Sequence, residues 1–359
     1  MNSPIYCVIM AGGAGTRFWP ISRSSRPKQF LDILGTGKTF IRSTFERFAE
    51  FVPAENFLVV TNGAYRDLVL EQLPEIGADQ ILAEPLGRNT APCIAYAAFR
   101  LKATAPDATM IVTPSDHLIL NEAAFRTVVE EAVGFASSHE VLVTIGVQPT
   151  RPATGYGYIQ ADRPIRADGM NKVKTFTEKP NAELARAFLA SGDFFWNSGI
   201  FVWQTRTILN SLAALLPDTW QLFSSIESAY GTPDEQQCID RIYPECRAVS
   251  VDYGIMEKAG NVYVRCGDFG WSDIGTWGSL YEYMPRDEAG NTQGADRILF
   301  DSRGCLVKTP QGKLAVIEGL EDFIVVDTED VLLICPRENE QNIKKFIDTV
   351  RFNGGDRFI

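Results

Sequence analysis

The stretch from Ile9 to Leu31, IMAGGAGTRFWPISRSSRPKQFL, constrains this chain more than any other. A short apolar run at 5–11 reads as a buried strand, and it breaks into Gly12, Gly13, Ala14 and Gly15, then Thr16 and Arg17. Glycines at such a corner let backbone N–H groups converge on one point without interference from a Cβ, which suits a polyphosphate. Between Ala14 and Leu31 the only charged residues are Arg17, Arg23, Arg26 and Lys28, all cationic. The whole chain has a net charge of −11, so this local excess of positive charge points to a bound anion. Two common anion loops are excluded. The dinucleotide fingerprint GxGxxG fails because Phe18 stands in the third glycine's place. The ATPase loop GxxxxGK[ST] is met only in part at Gly37-Lys38-Thr39, where Asp32 occupies the first glycine's position.

The rest of the first half alternates two periodicities. Strands are expected at 5–10, 57–60, 80–83, 109–113 and 141–145, with helices at 39–50, 64–72, 90–105 and 122–137. This βαβα rhythm predicts a mainly parallel sheet with helices on both faces. Ligands on such sheets gather beyond the carboxyl ends of the strands, where the glycine turn lies. From about Gly155 the pattern changes to strands at 156–160, 172–177 and 195–203 interleaved with helices at 182–191 and 206–228. These predict a second, more antiparallel lobe. A loop with Pro285, Gly290 and Gly294 marks a boundary near 285–296. Beyond it, strands at 305–307, 314–317, 323–326 and 331–334 recur every eight to ten residues, as in β-helical coils, before a closing helix at 339–351. The domains expected are 1–288, comprising a first half of about 1–150 and a second lobe of about 151–288, and a β-helix-like tail at 289–359. The open end of such a coil invites a second subunit, so a homodimer is expected.

Composition narrows the class. A chain of 359 residues with 45% apolar and 22% charged residues is ordinary for a globular protein of two domains, or of one large domain with an appendage. The Met1 end has no basic flank and its apolar run is too short for a leader or a membrane span. The acidic balance without a basic run speaks against a nucleic-acid partner. The seven cysteines never form a CxxC pair, and several sit in apolar runs, which predicts reduced thiols and a cytoplasmic protein. His117 and His139 have no zinc-type spacing.

GGAGTRFWPISR followed by RPKQFL resembles the sugar-nucleotide pyrophosphorylases, and specifically their mannose-1-phosphate guanylyltransferase branch. EPLGRNTAP at 84–92, PSDH at 114–117, GYGY at 155–158, FTEKP at 176–180, WNSG at 196–199, DYGIMEK at 252–258 and WSDIGTW at 271–277 continue the resemblance along nearly the whole chain. It implies an α/β fold: a Rossmann-like, mixed-sheet nucleotidyltransferase domain (GT-A-like) with a small C-terminal left-handed β-helix-like domain. It also implies a reaction, transfer of GMP from GTP to α-D-mannose 1-phosphate with release of pyrophosphate. The rival readings are the same chemistry on another sugar 1-phosphate and a non-catalytic paralogue that binds a nucleotide sugar. Loss of Arg17, Lys28, Asp116 or Asp273 would favour the paralogue, and all four are present.

Residue by residue, the resemblance places Gly12, Gly13, Gly15, Thr16, Arg17 and Lys28 on the triphosphate. Arg17 offers paired N–H donors and Lys28 a compact charge. Guanine presents N1–H and an N2 amino group side by side, and Glu84 is a carboxylate able to accept from both; Arg88 and Asn89 are the alternatives for reading the base. Asp116 and Asp273 would hold Mg²⁺, a hard ion content with few carboxylates, and Asp268 competes for the second place. His117 is expected to orient its neighbours. Gly155, Tyr156, Gly157, Glu178 and Asn197 would take the sugar, and Lys179 its phosphate. Ser115 stands where the family usually has alanine, a change that should spare metal binding, and no appended isomerase domain is expected.

Overall fold

The computed structural model describes residues 3–13, 15–162, 169–294 and 296–359. The chain divides into two compact units, residues 1–12 with 42–271 and residues 13–41 with 272–359.

The first unit is built on one nine-stranded sheet. Its strands are β1 (Ile5–Met10), β2 (Phe57–Asn62), β3 (Ile81–Glu84), β4 (Thr109–Pro114), β5 (Leu142–Val147), β6 (Tyr158–Ala161), β7 (Met170–Thr177), β8 (Phe194–Gln204) and β9 (Val262–Gly267). Their order is β3-β2-β1-β4-β8-β5-β9-β7-β6. Strands β1 to β4 pair in parallel, as the βαβα pattern predicts. Cys7, Val8 and Ile9 of β1 are fully buried, which accounts for their unbroken apolar run. Chain order reverses between β1 and β4, so the carboxyl ends of these two strands form the crevice where such sheets bind ligands. The antiparallel strands do not form a separate sheet. β8 runs antiparallel to both β4 and β5, and β7 and β6 extend the same sheet at its far edge.

Helix Thr90–Thr104 is apolar almost all round because it is buried, from Ala91 to Phe99 without a break. Its cap is Asn89, whose side chain accepts from the Thr90 N–H, and not Thr90 itself. The Thr90 hydroxyl instead accepts from the Val251 N–H at 2.9 Å. The single helix expected at 206–228 is two, Thr205–Leu215 and Pro217–Ser224. Pro217 lacks the N–H needed to continue the first and opens the second.

The second unit holds the glycine-loop segment and the tail. Strands β10 (Arg297–Phe300), β11 (Leu306–Lys308), β12 (Ala315–Glu318), β13 (Phe323–Asp327) and β14 (Leu332–Pro336) make the coil expected there. Arg297 pairs in parallel with Ala315, Arg303 with Glu321 and Leu306 with Ile324, each partner eighteen residues on. Eighteen residues is one turn of a three-sided coil. β10 escaped the sequence pattern because Ile298 and Phe300 point outward and are half exposed. The closing helix, Ile343–Phe352, starts later than expected, after a 3₁₀ segment at Arg337–Asn342. No helix among the described residues is long and apolar enough to cross a membrane.

Candidate active site

In the first unit, the carboxyl edge of the parallel strands brings together Gly12, Glu84, Ser115 and Asp116. Ser115 N–H donates to Met10 O at 3.1 Å, and the Ala11 N–H to Val60 O at 2.8 Å, so the chain leaves β1 still held to its neighbours. Gly12 lies directly against Glu84 Oε2: a Cβ on it would stand 2.8 Å away. Glu84 is 5% exposed, and its Oε1 accepts a hydrogen bond from the Tyr243 hydroxyl. Burial pushes its carboxyl up to about 7, against the pull of the Tyr243 bond. Burial, and then the charge of Glu84, raises Tyr243 well above the ordinary phenol range, so it stays a donor. Arg88 donates to Pro244 O, and its Nε is buried without a partner. Asn89 sits at φ 67° with its Oδ1 committed to the helix, and the residue is exposed.

Asp116 follows β4 with its side chain one-third exposed, and His117 Nε2 is 4.0 Å from its Oδ1. The Trp271 indole N–H donates to His117 Nδ1 at 3.2 Å, which places the neutral imidazole's proton on Nε2, the atom facing Asp116. Trp271 packs edge-on against Tyr156 at 5.1 Å, and Tyr156 against Trp196 at 5.0 Å. A run of aromatic rings thus leads from His117 to the Tyr156 turn.

The residues expected to meet a sugar converge on one network. Gly157 is buried, and any Cβ there would strike Glu178 Oε2 and crowd Asn197 Cβ at 3.3 Å. Asn197 accepts from Thr144 Oγ1 at 2.9 Å and from Gly199 N–H at 3.2 Å, and donates to Asp252 Oδ1 at 2.9 Å. Glu178 and Lys179 form an ion pair at 2.5 Å, with Lys179 exposed and Glu178 largely covered. Gly155 lies exposed at the lip. Asp252, to which sequence reasoning assigned no role, is pushed up to about 6 by burial and by the charge of Glu178, partly offset by the Asn197 bond. Its only signal was the DYGIMEK motif. Tyr243 gave none.

In the second unit, Gly15 adopts φ +55°, and a Cβ would stand 2.7 Å from both Lys28 N and Lys28 Cβ. The loop is therefore folded onto Lys28. Lys28 is 3% exposed, donates to Asp273 O at 2.6 Å, and lies 4.8 Å from the Phe40 ring centroid. Gln29 donates to Gly13 O at 2.8 Å and Ser22 to Gly15 O at 2.7 Å, further fixing the turn. Thr16 and Arg17 are exposed on a 3₁₀ turn, with no hydrogen bond or ion pair to the Arg17 side chain among the described residues. Ala14 lies outside the described residues. Asp273 Oδ1 accepts from Gly275 N–H at 3.1 Å, and the following helix is capped by Thr276, not Asp273. Among the described residues no three His, Cys, Asp or Glu side chains cluster as a metal site.

A mixed sheet with a crevice at the strand reversal of its parallel half suits an enzyme that binds a nucleotide there. The Nucleotidyl transferase family model matches residues 6–290, and the chain belongs to that family. A second model, the MannoseP isomerase/GMP-like beta-helix domain, matches residues 295–350. Mannose-1-phosphate guanylyltransferase of Klebsiella pneumoniae is 37% identical over 351 residues, 96% of this chain and 74% of that protein. The enzyme of that name from Escherichia coli K12 is 37% identical over 98% of this chain and 75% of its own length. The crystal structure of mannose-1-phosphate geranyltransferase from Thermus thermophilus covers 98% of this chain and 100% of its own, at 29% identity and a TM-score of 0.86.

Proposed function

We propose that the protein transfers GMP from GTP to α-D-mannose 1-phosphate, giving GDP-mannose and pyrophosphate. The carrying observation is the network around Gly157. Glu178, Asn197 and Asp252 present polar groups for ring hydroxyls, and Lys179 stands exposed beside them for a phosphate. The relatives named for this reaction supply the choice of mannose and guanine.

The sugar phosphate is itself the nucleophile, since its second proton is lost near pH 6 as in other phosphate monoesters. One of its oxygens attacks the α-phosphorus of GTP in line, and pyrophosphate leaves from the opposite side. Arg17 grips phosphate oxygens by contact, and Lys28 adds positive charge from beneath the turn. Gly12, Gly13, Gly15 and Thr16 offer backbone N–H groups. Lys179 holds the attacking phosphate, while Glu178 and Asn197 fix the ring. Glu84 reads the base with lone pairs that Tyr243 leaves available, and Asn89 and Arg88 flank it.

Asp116 and Asp273 are hard oxygen donors on turns, of the kind that suits Mg²⁺, and they would hold it. When bound, the ion supplies charge neutralisation at the phosphates. We place the catalytic part at 1–288, the β-helix-like tail at 289–359, and the protein in the cytoplasm as a homodimer. Ile298 and Val316, register partners left exposed on β10 and β12, suit a second copy. The reading is tested by a pyrophosphate-release screen of the four ribonucleoside triphosphates against a panel of sugar 1-phosphates with Mg²⁺. GTP with mannose 1-phosphate should give the fastest release. Comparable release with another pair would displace the assignment.

A further inference from the structure

The segment Gly13–Ile41 belongs to the same compact unit as the tail and not to the sheet unit that β1 founds. Polar contacts join it to residues 308–358 at Trp19, Arg23 and Ile33. The Trp19 indole N–H donates to Phe358 O at 2.7 Å. Arg23 makes a forked pair with Asp330, Nη2 to Oδ1 at 2.6 Å and Nη1 to Oδ2 at 3.2 Å, while its Nε donates to Pro20 O at 2.7 Å. Lys308 Nζ donates to Ile33 O at 2.6 Å. Trp19 is held at its other end too, its carbonyl accepting from the Trp277 indole at 3.2 Å, and Phe18 meets the Trp277 ring edge-on at 5.0 Å.

The contacts of Trp19 and Arg23 fall on the segment that leads away from the turn bearing Arg17. A forked guanidinium–carboxylate pair fixes direction as well as distance, and the Nε bond to Pro20 O ties that direction to the loop backbone. An indole N–H bonded to a backbone carbonyl does the same for Trp19.

We infer that the tail is a template for the triphosphate loop, with Trp19 and Arg23 as positioning residues that hold Arg17 in its working geometry. This rests on the reading of the loop as the triphosphate site. Neither residue touches substrate; each acts through the loop backbone.

The test uses the full chain and four variants: Asp330→Ala, Asp330→Glu, Trp19→Phe and Arg17→Ala. Asp330 is exposed and Trp19→Phe keeps an aromatic ring, so all are expected to fold. The expected result is that Asp330→Ala and Trp19→Phe each raise KM for GTP roughly two- to fivefold, the range for one partly exposed polar contact. KM for mannose 1-phosphate should stay at its wild-type value in both variants; the melting temperature should hold in Asp330→Ala and fall in Trp19→Phe, whose ring is buried, and Asp330→Glu should recover most of the loss. An unchanged KM for GTP in both variants overturns the inference. So does a parallel shift of both KM values with the melting temperature, which would make the contacts merely structural. Arg17→Ala separates the two levels. If it binds GTP as wild type does, the reading of the loop fails; if it loses GTP while Asp330→Ala and Trp19→Phe do not, the template inference alone fails.

Discussion

The network around Gly157 in the sheet unit, proposed to meet the sugar, and the glycine loop of the tail unit, proposed to meet the triphosphate, solve opposite problems. Around Gly157 the polar side chains are tied to one another: Asn197 bonds Thr144, Gly199 and Asp252, and Glu178 pairs with Lys179. In the loop the two key cations are divided. Lys28 is buried against Asp273 O, and Arg17 projects into solvent. A ring of neutral hydroxyls needs acceptors and donors fixed beforehand, because each is worth little and angle decides selectivity. A triphosphate brings its own charge, so one exposed guanidinium on a fixed turn suffices to recruit it. On the proposed reading the first region couples function to stability, and the second does not.

Arg17→Ala is the most severe test of that contrast. It should lower kcat about 10²- to 10³-fold, as loss of a preorganised charge donor does. The melting temperature should barely move, because exposed side chains outside packed networks change stability by about 0.5 kcal/mol or less. Initial-rate kinetics with differential scanning fluorimetry decides the matter. Turnover near wild type, or a large drop in melting temperature, breaks the comparison.

Asn197→Ala should do the reverse in kind. Loss of its side chain leaves the Thr144 hydroxyl, the Gly199 N–H and Asp252 without their bonds, at a cost of about 1–3 kcal/mol for buried groups. That lowers the melting temperature by several degrees at about 2–4 °C per kcal/mol. KM for the sugar phosphate should rise about tenfold, a single hydrogen-bonding group's share of ligand selection. KM for GTP should hold. A rise in both, or an unchanged melting temperature, would mean that the network is not built in advance of the sugar.

How much of this was readable beforehand follows the same division. The parallel strands were legible to within a residue or two, because two-sided burial writes an unbroken apolar run such as Cys7 to Ile9. The loop was legible because glycine and clustered charge are local signals. Contacts between distant residues were not. Nothing in 243–246 announces that Tyr243 will hold Glu84, 159 residues earlier in sequence. Nothing in Asp330 announces Arg23. The continuation of β8 into the same sheet was equally hidden, since alternation predicts a strand but not its neighbour. Helix caps are equally hidden: Thr90 and Asp273 are both good capping types, yet the caps are Asn89 and Thr276, a choice that depends on backbone angles that composition does not carry.

The smallest expected effect concerns Glu84, which stands between the two regimes: a buried carboxylate with one protein partner and a proposed role with the base. Its folded-state value near 7 lies above the ordinary 4.5 because burial disfavours the charge. Between these limits the folded protein keeps a proton that the unfolded chain has released. Stability from this group is thus present at low pH and is lost as pH rises through about 7. Glu84→Gln cannot titrate, so its stability relative to wild type should improve by about 1 kcal/mol between about pH 6 and pH 7.5. Urea unfolding of both proteins at the two pH values measures this directly. If the two stabilities run parallel with pH, the carboxylate is not buried enough to be held up, and the contact with Tyr243 dominates. The same variant bears on the base: an amide cannot accept from both guanine donors, so preference for GTP over ATP should weaken. Preference retained by Glu84→Gln would shift base reading to Asn89, an exposed residue whose amide can donate to guanine O6.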